Sequence, residues 1–594
     1  MAHRLAYDPN VAIRRVRFPL LDQVSGYSSR ETGRDLLAGV VLAAVLVPTG
    51  MGYAVAAGLP PINGLYATIV PLLVYALIGP SRILVFGPDS SLSPLLAGAV
   101  IPLAAGDPGR AVAVGMVVSL IAGALCVFGA IGRFGFLADL LSKPVQYGYL
   151  NGIALTVLAT QLPRALGLRT GADSLIGAAR DLLDSAERGG VNAWSAGIAA
   201  GTIAIIASLR IINRRIPGAL LAMVGAVLLV RFGDLSRHGV ALVGALPSGL
   251  PLPRWPGVPW KDLAEIVPVA VGVAFVSFAD TSVLSRTYAS KTGQRVDANR
   301  ELFALGAVNL ASGFLQGFPV SSSQSRTPVA EEAGSRSQLT GIVGAVLVVL
   351  LVVAAPGTFR YLPSAALSGV VIIAALRLVQ LGGVLRLKRV RRSEFLLSLA
   401  AFAAVVLLGP IKGIGVAIGL SMLNFMRKVW RPYATELVLV DGLSGYHDAT
   451  RHPEGARVPG LLLYRFGAPL FFANGGFIET DVLRRIDDHG ASPGMGIRWV
   501  AVVGDAITDV DSSAAEALGE LLDRLDERGI VLVFAGLKGT VRDHLEPYGL
   551  VGRVGRHHFY PTTEEAVLAY LQATGAEWGL GKGEPPGTSA TPES

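Results

Sequence analysis

Two short polar segments interrupt apolar stretches of the chain and carry the residue types that bind anions. Residues 87–91 read Gly-Pro-Asp-Ser-Ser, and residues 318–326 read Phe-Pro-Val-Ser-Ser-Ser-Gln-Ser-Arg. Proline is tolerated in the first turn of a helix, and Ser or Asp caps it. A helix N-terminus offers unpaired N–H groups and about half a positive charge. Each segment therefore predicts the start of a half-helix, and Arg326 adds a formal cation to the second one.

The alternative is a pair of Pro-kinked helices whose hydroxyl groups bond to their own backbone. Each interruption taken alone favours that simpler interpretation. The two interruptions, however, fall at the same place in the two halves of the apolar region. Gly/Pro-interrupted segments in matching positions indicate a binding site near the middle of the membrane. The matched pair therefore favours an anion site.

Two carboxylates lie within apolar stretches, where ionisable residues are costly. Asp280 lies in VAFVSFADTSVLSR and could take up a proton or ligate Na⁺, which would couple anion uptake to a cation gradient. The alternative is a structural, hydrogen-bonded Asp. Asp89 is harder to explain, because its charge would repel an anion unless it were protonated or paired, for instance with Arg326. A helix cap remains the alternative for Asp89.

Other kinds of chemistry find little support in the sequence. The eight histidines lie outside the apolar blocks and lack metal-ligand spacing, and the single cysteine, Cys126, cannot form a disulfide framework. The chain contains no nucleophile elbow, phosphate loop or zinc motif. We therefore expect neither an enzyme nor a protein with a cofactor or a bound metal, apart from the coupling ion, H⁺ or Na⁺, at Asp280.

The composition requires a lipid environment for the elements that carry these residues. Of 594 residues, 52% are hydrophobic and only 16% charged, whereas soluble domains have about 25% charged residues. The net charge of +8 comes mostly from basic residues in short loops between apolar blocks, as the positive-inside rule requires, so nucleic acid is not an expected partner. No short apolar region follows the polar N-terminus, so we expect no cleaved signal peptide.

The apolar blocks predict a polytopic α-helical membrane protein with about fourteen transmembrane helices. Seven helices per half place the two halves in opposite orientations, which is an inverted repeat. The charge pattern places both termini in the cytoplasm, with the chain in the inner (plasma) membrane. The predicted spans are 36–57, 62–79, 83–105, 111–131, 145–162, 193–212 and 217–232 in the first half, and 263–284, 301–317, 319–333, 338–356, 364–379, 393–408 and 411–426 in the second.

The chain divides into four regions by composition. We expect a cytoplasmic N-terminal segment at 1–35 and a transmembrane domain at 36–430, with repeats at about 36–232 and 263–426. Residues 436–575 contain strand-like runs that alternate with helix-like runs, which is typical of a small α/β domain. The predicted strands are 461–466, 498–503 and 530–535, and the predicted helices are 476–489, 512–528 and 539–547. The tail 576–594 is rich in Gly, Pro, Ser and Thr, so we expect it to be disordered.

Within the α/β region, residues 505–516 contain two adjacent serines. Ser513 and Glu516 have the spacing of a capping box, so the start of a helix explains the hydroxyl groups structurally. A phosphate on Ser512 would also be favourable at that helix N-terminus. The spacing alone favours the cap.

Three separated motifs now identify a resemblance. They are DLLAGVVLAAVLVPTGMGYAVAAGLPPINGLYATIVPLLVYALIGPSR at 35–82, NLASGFLQGFPVSSSQSRTPV at 309–329, and the pair ITDVDSSAAEAL and GLKGTVRDHLEPYGL within 507–550. Over residues 18–575 the chain resembles the sulfate permease (SulP) family, which includes bacterial sulfate, bicarbonate and dicarboxylate transporters and the animal proteins prestin and pendrin. The C-terminal region resembles a STAS domain.

The resemblance implies a fourteen-helix inverted repeat divided into core and gate domains, an elevator mechanism and a homodimer. It implies an anion site between the third and tenth helices and a coupling carboxylate at Asp280. It also matches Ser512 to the phosphorylatable serine of STAS relatives in sporulation control, and it leaves room for a cytosolic partner of the STAS domain. The residues implied to bind the anion are Tyr53, Gly87, Pro88, Asp89, Ser90, Ser323, Ser325 and Arg326.

Two positions depart from the family pattern and leave the substrate open. Thr49 stands where many relatives have Gln, and Asp89 stands where many have an apolar residue. We expect cation-coupled uptake of a small anion, with sulfate favoured over bicarbonate and C4-dicarboxylates. The alternatives are a passive channel or exchanger, in which Asp280 is structural, and a membrane-bound scaffold whose STAS domain signals.

Overall fold

The computed structural model describes residues 27–136, 142–168, 190–213, 217–247, 249–292, 296–490 and 496–576, with residues 177, 179, 180, 182 and 578. The chain forms two compact units, Met1–Ser421 and Met422–Ser594. Most of the N-terminal segment, most of the amphipathic stretch in 163–192 and nearly all of the tail 576–594 lie outside the described residues, so the predicted disorder of the tail remains a prediction.

Helices α1 to α7 make up the first half of the helical unit. Pro residues begin α2 and α4, and a capping box between Ser28 and Glu31 begins α1. A two-residue strand, β1 (Phe86–Gly87), precedes α3. The helices are α1 Ser29–Ala56, α2 Pro61–Ile78, α3 Ser93–Ala104, α4 Pro108–Ile131, α5 Lys143–Ala165, α6 Ala193–Ile212 and α7 Gly218–Phe232.

Helices α8 to α15 follow in the second half. The strand β2 (Ser321–Ser322) precedes the short α10, and 3₁₀ turns lie at Trp260–Asp262 and Pro356–Tyr361. The helices are α8 Leu263–Thr292, α9 Ala298–Phe314, α10 Arg326–Glu332, α11 Leu339–Ala354, α12 Ser364–Leu378, α13 Leu381–Val390, α14 Arg392–Leu408 and α15 Pro410–Trp430.

Each of the fourteen predicted spans coincides with one helix, and the third and tenth consist of a strand followed by a shortened helix. In the part of the chain that is described, six helices have the length and hydropathy of a span, and three more are shorter and apolar. Helix α13 was not predicted. It is amphipathic and basic, and none of its residues is buried.

Contacts between the helices separate them into two groups. Helices α1–α4 pack mainly with α8–α11, and helices α5–α7 pack mainly with α12 and α14. Small residues allow the closest approaches, as membrane helices require. A Cβ atom added at Gly306 in α9 would lie 2.8 Å from the carbonyl oxygen of Gly123 in α4. This division agrees with the core and gate domains that the sequence implied.

The outer surface of the helical unit is apolar. Phe128, Ile211 and Phe232 are 71%, 87% and 81% exposed. Large apolar side chains on a soluble surface would cost free energy, whereas hydrocarbon accommodates them. The exposed residues therefore belong to a surface that faces lipid.

The second unit is a six-stranded sheet with helices, in the strand order β4-β3-β5-β6-β7-β8. Strands β5 to β8 are parallel, and β3 is antiparallel to both β4 and β5. The three predicted strands correspond to β5, β6 and β7, and the three predicted helices to α16, α17 and α18. The strands are β3 Ala434–Leu439, β4 Tyr446–Asp448, β5 Leu461–Phe466, β6 Trp499–Val503, β7 Val531–Ala535 and β8 Phe559–Tyr560; the helices are α16 Gly475–Gly490, α17 Ser512–Glu527, α18 Gly539–Leu545, α19 Leu550–Val554 and α20 Thr563–Thr574.

A charged cluster ties the first strand of this sheet to α16. Glu436 on β3 accepts hydrogen bonds from Arg457 Nε at 3.2 Å and from His489 Nε2 at 2.9 Å. Burial acts to raise the pKa of Glu436, but His489 and Arg457 together hold that pKa below its ordinary value. The ionised carboxylate is thereby favoured in the folded domain.

Candidate functional site

The two interrupted segments meet in the helical unit as an antiparallel pair of strands. Phe86 pairs with Ser322 and Gly87 pairs with Ser321. The backbone N–H of Ser323 extends this pairing by donating to the carbonyl oxygen of Val85 at 2.9 Å. Because the strands run in opposite directions, α3 and α10 leave the pair in opposite directions with their N-termini toward it. The sequence analysis predicted that these two segments lie together, and the structure brings them together.

Helix α9 fixes the second segment through its polar side chains. Asn309 accepts a hydrogen bond from the backbone N–H of Val320 at 2.9 Å and donates to the carbonyl oxygen of Val320 at 3.1 Å. Ser312 donates to the carbonyl oxygen of Phe318 at 2.8 Å. Buried backbone groups outside regular structure need such partners. Side chains of α9 therefore hold the backbone of the second segment at Phe318 and Val320.

Arg326, the first residue of α10, carries the only formal positive charge that the sequence assigned to the site. Its side chain is completely buried, and its Nη2 donates to the carbonyl oxygen of Pro88 at 2.5 Å. Nε and Nη1 have no hydrogen-bond partner among the described residues. A buried charge with free N–H groups is costly without a counter-charge. The guanidinium thus offers two donor nitrogens, with three N–H groups, and a positive charge to an anion.

Gly87 gives the guanidinium room to approach. A Cβ atom at this position would lie 2.9 Å from Nη1 of Arg326 and 3.4 Å from Nη2. Contacts below 3.0 Å are essentially not found for real Cβ atoms, so a side chain here would displace the guanidinium. Gly87 and Pro88 therefore belong to the site through their backbone.

The structure corrects how the positive potential arises. Helix α10 has only seven residues, whereas the sequence predicted a longer half-helix at 319–333. A macrodipole is the sum of aligned peptide dipoles, so a helix of this length contributes little. The formal charge of Arg326 is the stronger source on this side.

Asp89 lies four residues before the first residue of α3 and bonds within the turn that leads into this helix. Its Oδ1 accepts from the backbone N–H of Ser91 at 3.1 Å, and its carbonyl oxygen accepts from Ser93 Oγ at 2.9 Å. No ion pair of Asp89 within 4.0 Å is found among the described residues, although Asp89 and Arg326 interact electrostatically. Leu92 occupies the N-cap position of α3, and no side chain caps this helix, so the cap expected at Asp89 is not found, and no direct pair with Arg326 is formed among the described residues.

Asp280 lies in α8 and is 6% exposed. Its Oδ2 accepts a hydrogen bond from Ser91 Oγ at 2.9 Å, and its Oδ1 lies 3.4 Å from Nε2 of Gln324. Ser91 belongs to the first interrupted segment and Gln324 to the second. The carboxylate therefore contacts both segments from the side of α8.

The remaining predicted residues surround this centre. Tyr53 in α1 is buried and interacts electrostatically with Asp89 and Arg326. Ser323 accepts from the backbone N–H of Arg326 at 3.3 Å and contacts Ser325 Oγ at 3.2 Å, so these hydroxyls support the start of α10. The hydroxyl of Ser90 lies 3.5 Å from Oδ1 of Asp89.

The sequence analysis gave no role to two residues that hold the site together, Ser91 and Thr281. Ser91 joins the carboxylates of Asp89 and Asp280. Thr281 accepts a hydrogen bond from the backbone N–H of Ser322, at 3.4 Å, and the hydroxyl of Ser322 has no partner among the described residues. The polar run 89–91 was the available signal for Ser91. No sequence feature links it to Asp280, which lies 189 positions away.

Thr49, one of the two departures from the family pattern, uses its hydroxyl within its own helix. Its Oγ1 donates to the carbonyl oxygen of Val45 at 2.7 Å. Pro48 lies inside the same helix, and Ser and Thr hydroxyls inside helices commonly bond to a carbonyl of the preceding turn. Thr49 therefore offers less to a substrate than a free hydroxyl would.

In the α/β unit, the capping prediction at 512–516 is wrong in its residues. Asp511 is the cap of α17, and it accepts from the backbone N–H of Ala514 at 2.9 Å. Asp511 precedes the two serines and caps the helix at the N–H of Ala514, whereas Ser513 was expected to bond to the N–H of Glu516. Ser512 and Ser513 are both exposed in the first turn. The hydroxyl of Ser512 is therefore not needed for capping.

Among the described residues, no group of three or more His, Cys, Asp or Glu side chains could hold a metal ion.

Comparison with family models gives two matches. The sulfate permease family model matches residues 33–401, and the STAS domain model matches residues 452–566. The first match covers most of the helical unit, including both interrupted segments and Asp280. The second covers most of the α/β unit.

Comparison with curated proteins gives relatives along nearly the whole chain. A probable sulfate transporter of Mycobacterium tuberculosis is 39% identical over 552 residues, which cover 93% of this chain and 98% of the relative. Sulfate transporter 3.1 of Arabidopsis thaliana is 28% identical over 574 residues, which cover 93% of this chain and 86% of the relative.

Two solved structures of transporters have a fold similar to that of this chain. The murine Solute Carrier 26 family member A9 anion transporter, in the inward-facing state, aligns with a TM-score of 0.85 at 22% identity, covering 96% of this chain and 97% of that one. The transmembrane domain of a cyanobacterial bicarbonate transporter aligns with a TM-score of 0.59 at 22% identity, covering 66% of this chain and 99% of that one.

Proposed function

This chain belongs to the sulfate permease family, and from that membership we propose that it is a secondary active transporter that takes up sulfate together with a cation. Sulfate is favoured over bicarbonate and C4-dicarboxylates because the relatives that align with nearly the whole chain are named as sulfate transporters or probable sulfate transporters. The coupling ion in this proposal is H⁺ or Na⁺.

The observation that carries the proposal is the state of Arg326. A buried guanidinium with two unpartnered nitrogens among the described residues is stabilised when an anion supplies the missing charge and acceptors. Sulfate has four oxygen acceptors and two negative charges. The proposed site lies between the ends of α3 and α10, with Gly87, Pro88, Ser323 and Ser325 beside Arg326, and Tyr53, Asp89 and Ser90 facing it.

The proposed cation acts at Asp280. Ionised, this carboxylate is a second negative charge near a site for an anion, and among the described residues its hydrogen-bond partners are Ser91 and Gln324. A proton or Na⁺ at Asp280 would remove that charge and so favour the anion. Binding of the cation and binding of the anion are thereby coupled, since each makes the binding free energy of the other more favourable.

The proposed movement is an elevator. The strand pair β1–β2 joins the two segments of the site to each other, and Asp280 contacts both. The site therefore moves as one body with α1–α4 and α8–α11, relative to the group formed by α5–α7, α12 and α14. We further propose a homodimer in the inner membrane with both termini in the cytoplasm.

Ser512 is the proposed site of phosphorylation in the STAS domain. It is exposed in the first turn of α17, where a phosphate would interact favourably with the unpaired N–H groups. A cytosolic protein that binds this domain is the expected partner.

The test is uptake of radiolabelled sulfate, bicarbonate and succinate into proteoliposomes with an imposed H⁺ or Na⁺ gradient. We expect one gradient to drive accumulation of sulfate above equilibrium in the wild type, and Asp280→Asn to lose that accumulation. Glu265→Gln is the matched control, because Glu265 is an exposed carboxylate on the same helix; it should behave as the wild type.

Two results would contradict the proposal. Equal, merely equilibrating flux in wild type and Asp280→Asn would indicate a passive channel or exchanger in which Asp280 is structural. Absence of flux for all three anions in a correctly folded protein would favour a scaffold whose output is the STAS domain.

A further inference from the structure

Ser91 lies between two buried carboxylates. Its Oγ is 2.9 Å from Oδ2 of Asp280 and 3.2 Å from Oδ1 of Asp89. The three side chains are 1%, 6% and 8% exposed, respectively for Ser91, Asp280 and Asp89. Both carboxylates are therefore within hydrogen-bond reach of one hydroxyl group, inside the protein.

A serine hydroxyl has one hydrogen and can donate it to only one acceptor at a time. When both aspartates are ionised, they compete for that hydrogen. Asp89 already accepts the backbone N–H of Ser91 at 3.1 Å, whereas Oδ2 of Asp280 has no other donor among the described residues. With both aspartates ionised, the hydroxyl hydrogen therefore belongs to Asp280.

A cation at Asp280 changes this competition. A proton on Oδ2 makes that oxygen a donor to Ser91, and Na⁺ supplies the positive charge that the hydroxyl hydrogen had supplied. In either case Asp280 releases the hydrogen, and the hydroxyl turns toward Asp89. No covalent bond other than that of an added proton is formed, and Ser91 keeps its own hydrogen.

Asp89 in turn faces the anion site. It interacts electrostatically with Arg326 and Tyr53, and its negative charge repels an anion there. A hydrogen bond from Ser91 reduces the negative potential that the carboxylate presents to the site. When Ser91 turns from Asp280 to Asp89, Asp89 therefore repels the anion less strongly.

We propose that Ser91 is the positioning residue that transmits the presence of a cation at Asp280 to Asp89, and through Asp89 to the bound anion. The inference rests on the proposed cation-coupled transport and names the residue that couples the two substrates. The geometry assigns this role to Ser91: Ser90, the other serine of the first segment, contacts Asp89 and Tyr53, and Ser93, two residues beyond Ser91, bonds to a backbone carbonyl.

The other groups around the pair do not replace this link. Gln324 lies 3.4 Å from the other oxygen of Asp280, and its amide donates whether or not a cation is bound. Tyr149 interacts electrostatically with Asp280, and its buried hydroxyl has no hydrogen-bond partner among the described residues. Arg326 acts on Asp89 directly and is the charge to which the anion binds.

The test measures how strongly the cation improves sulfate affinity, as the ratio of the sulfate KM without the coupling cation to the KM with it. Separate experiments with H⁺ and with Na⁺ in proteoliposomes identify which cation acts. Coupled sites usually give a ratio of about 5 to 150, and we expect the wild type in that range. Ser91→Ala should bring the ratio close to one, and Ser91→Thr, which keeps the hydroxyl, should restore it.

Ser93→Ala is the matched control, because it removes a buried hydroxyl two residues away that contacts neither carboxylate side chain; its ratio should equal that of the wild type. Should Ser91→Ala fail to fold, Ser91→Cys keeps a similar volume with a weaker donor and should give an intermediate ratio. A wild-type ratio in a folded Ser91→Ala or Ser91→Cys variant would overturn the inference. Absence of any cation effect in the wild type would instead reject the proposed coupled transport.

Discussion

At the scale of single residues, the site depends on a charge that is buried before any substrate arrives. Arg326 is anchored at one nitrogen by the carbonyl oxygen of Pro88, which leaves the other two free among the described residues. Anchoring one end of the guanidinium fixes the direction of its free N–H groups. Such preorganisation reduces the entropy that must be lost when a ligand binds.

Substitution of Gly87 tests this arrangement. A Cβ atom would lie 2.9 Å from Nη1 of Arg326, so Gly87→Ala should displace the guanidinium and raise the sulfate KM by about tenfold, which corresponds to about 1.4 kcal/mol. Gly197→Ala in α6 is the control, because nothing lies within 4 Å of its added Cβ. The measurement is the concentration dependence of sulfate uptake. An unchanged KM in Gly87→Ala would show that the guanidinium does not contact the substrate.

The sequence predicted the residue types of the site better than their contacts. Arg326, Gly87 and Asp280 follow from polar residues in apolar surroundings, which is a local pattern. The contact of Ser91 with Asp280 joins positions that are 189 residues apart, and helix packing alone determines it. The cap at Asp511 was missed because Asp511, Ser512 and Ser513 are adjacent, and each of these residue types can cap a helix.

At the scale of elements, glycine determines how closely α4 and α9 approach. The Cβ positions of Gly306 and Gly123 each face backbone atoms of the other helix at 2.8 Å or less. Apolar side chains gain little from leaving lipid, so close backbone contact and van der Waals packing supply much of the stability of such a pair.

We therefore expect Gly306→Val to separate α4 from α9 and to destabilise the helical unit by about 1–3 kcal/mol, the usual cost of overpacking. Thermal unfolding in detergent measures the change as a lower midpoint. Gly201→Val in α6 is the control, since its Cβ would meet nothing within 4 Å. Equal midpoints for the two variants would mean that α4 and α9 tolerate a wider separation.

The sequence predicted the helices and strands that hydrophobic residues mark. It missed those that lack a long hydrophobic run. The long apolar blocks coincide with helices, because a backbone in lipid must satisfy its own hydrogen bonds. Helix α13 was missed because its basic residues resemble a loop. The lengths of α3 and α10 were overestimated, since apolar residues also line the two-residue strands. In the α/β unit, β3, β4, β8, α19 and α20 were missed because they are short or lie at the ends of the domain.

At the scale of the whole molecule, the proposed orientation can be tested with the single cysteine as background. Cys126 is buried, so it should not react with a membrane-impermeant maleimide. Cysteines introduced at exposed positions would then report which side of the membrane they face. Gly257 precedes α8 and Arg386 lies in α13, and both are exposed.

With both termini in the cytoplasm, Gly257→Cys should react in intact cells and Arg386→Cys only after permeabilisation. The wild type, with Cys126 alone, is the control for background labelling. The opposite pattern would invert the orientation of the helical unit. Labelling of both positions in intact cells would rule out the predicted number of crossings between them.

The unequal lengths of α3 and α10 place the proposed anion site at different distances from the two faces of the membrane, and so determine how the membrane voltage acts on the substrate. At 1.5 Å per residue, the twelve residues of α3 extend about 18 Å from the strand pair, and the seven of α10 about 10 Å. In the proposed orientation α10 points to the cytoplasm. Moving one elementary charge through 100 mV involves about 2.3 kcal/mol. The proposed orientation therefore predicts that the anion crosses the larger part of the voltage drop between its site and the outer face, and the smaller part on release into the cytoplasm.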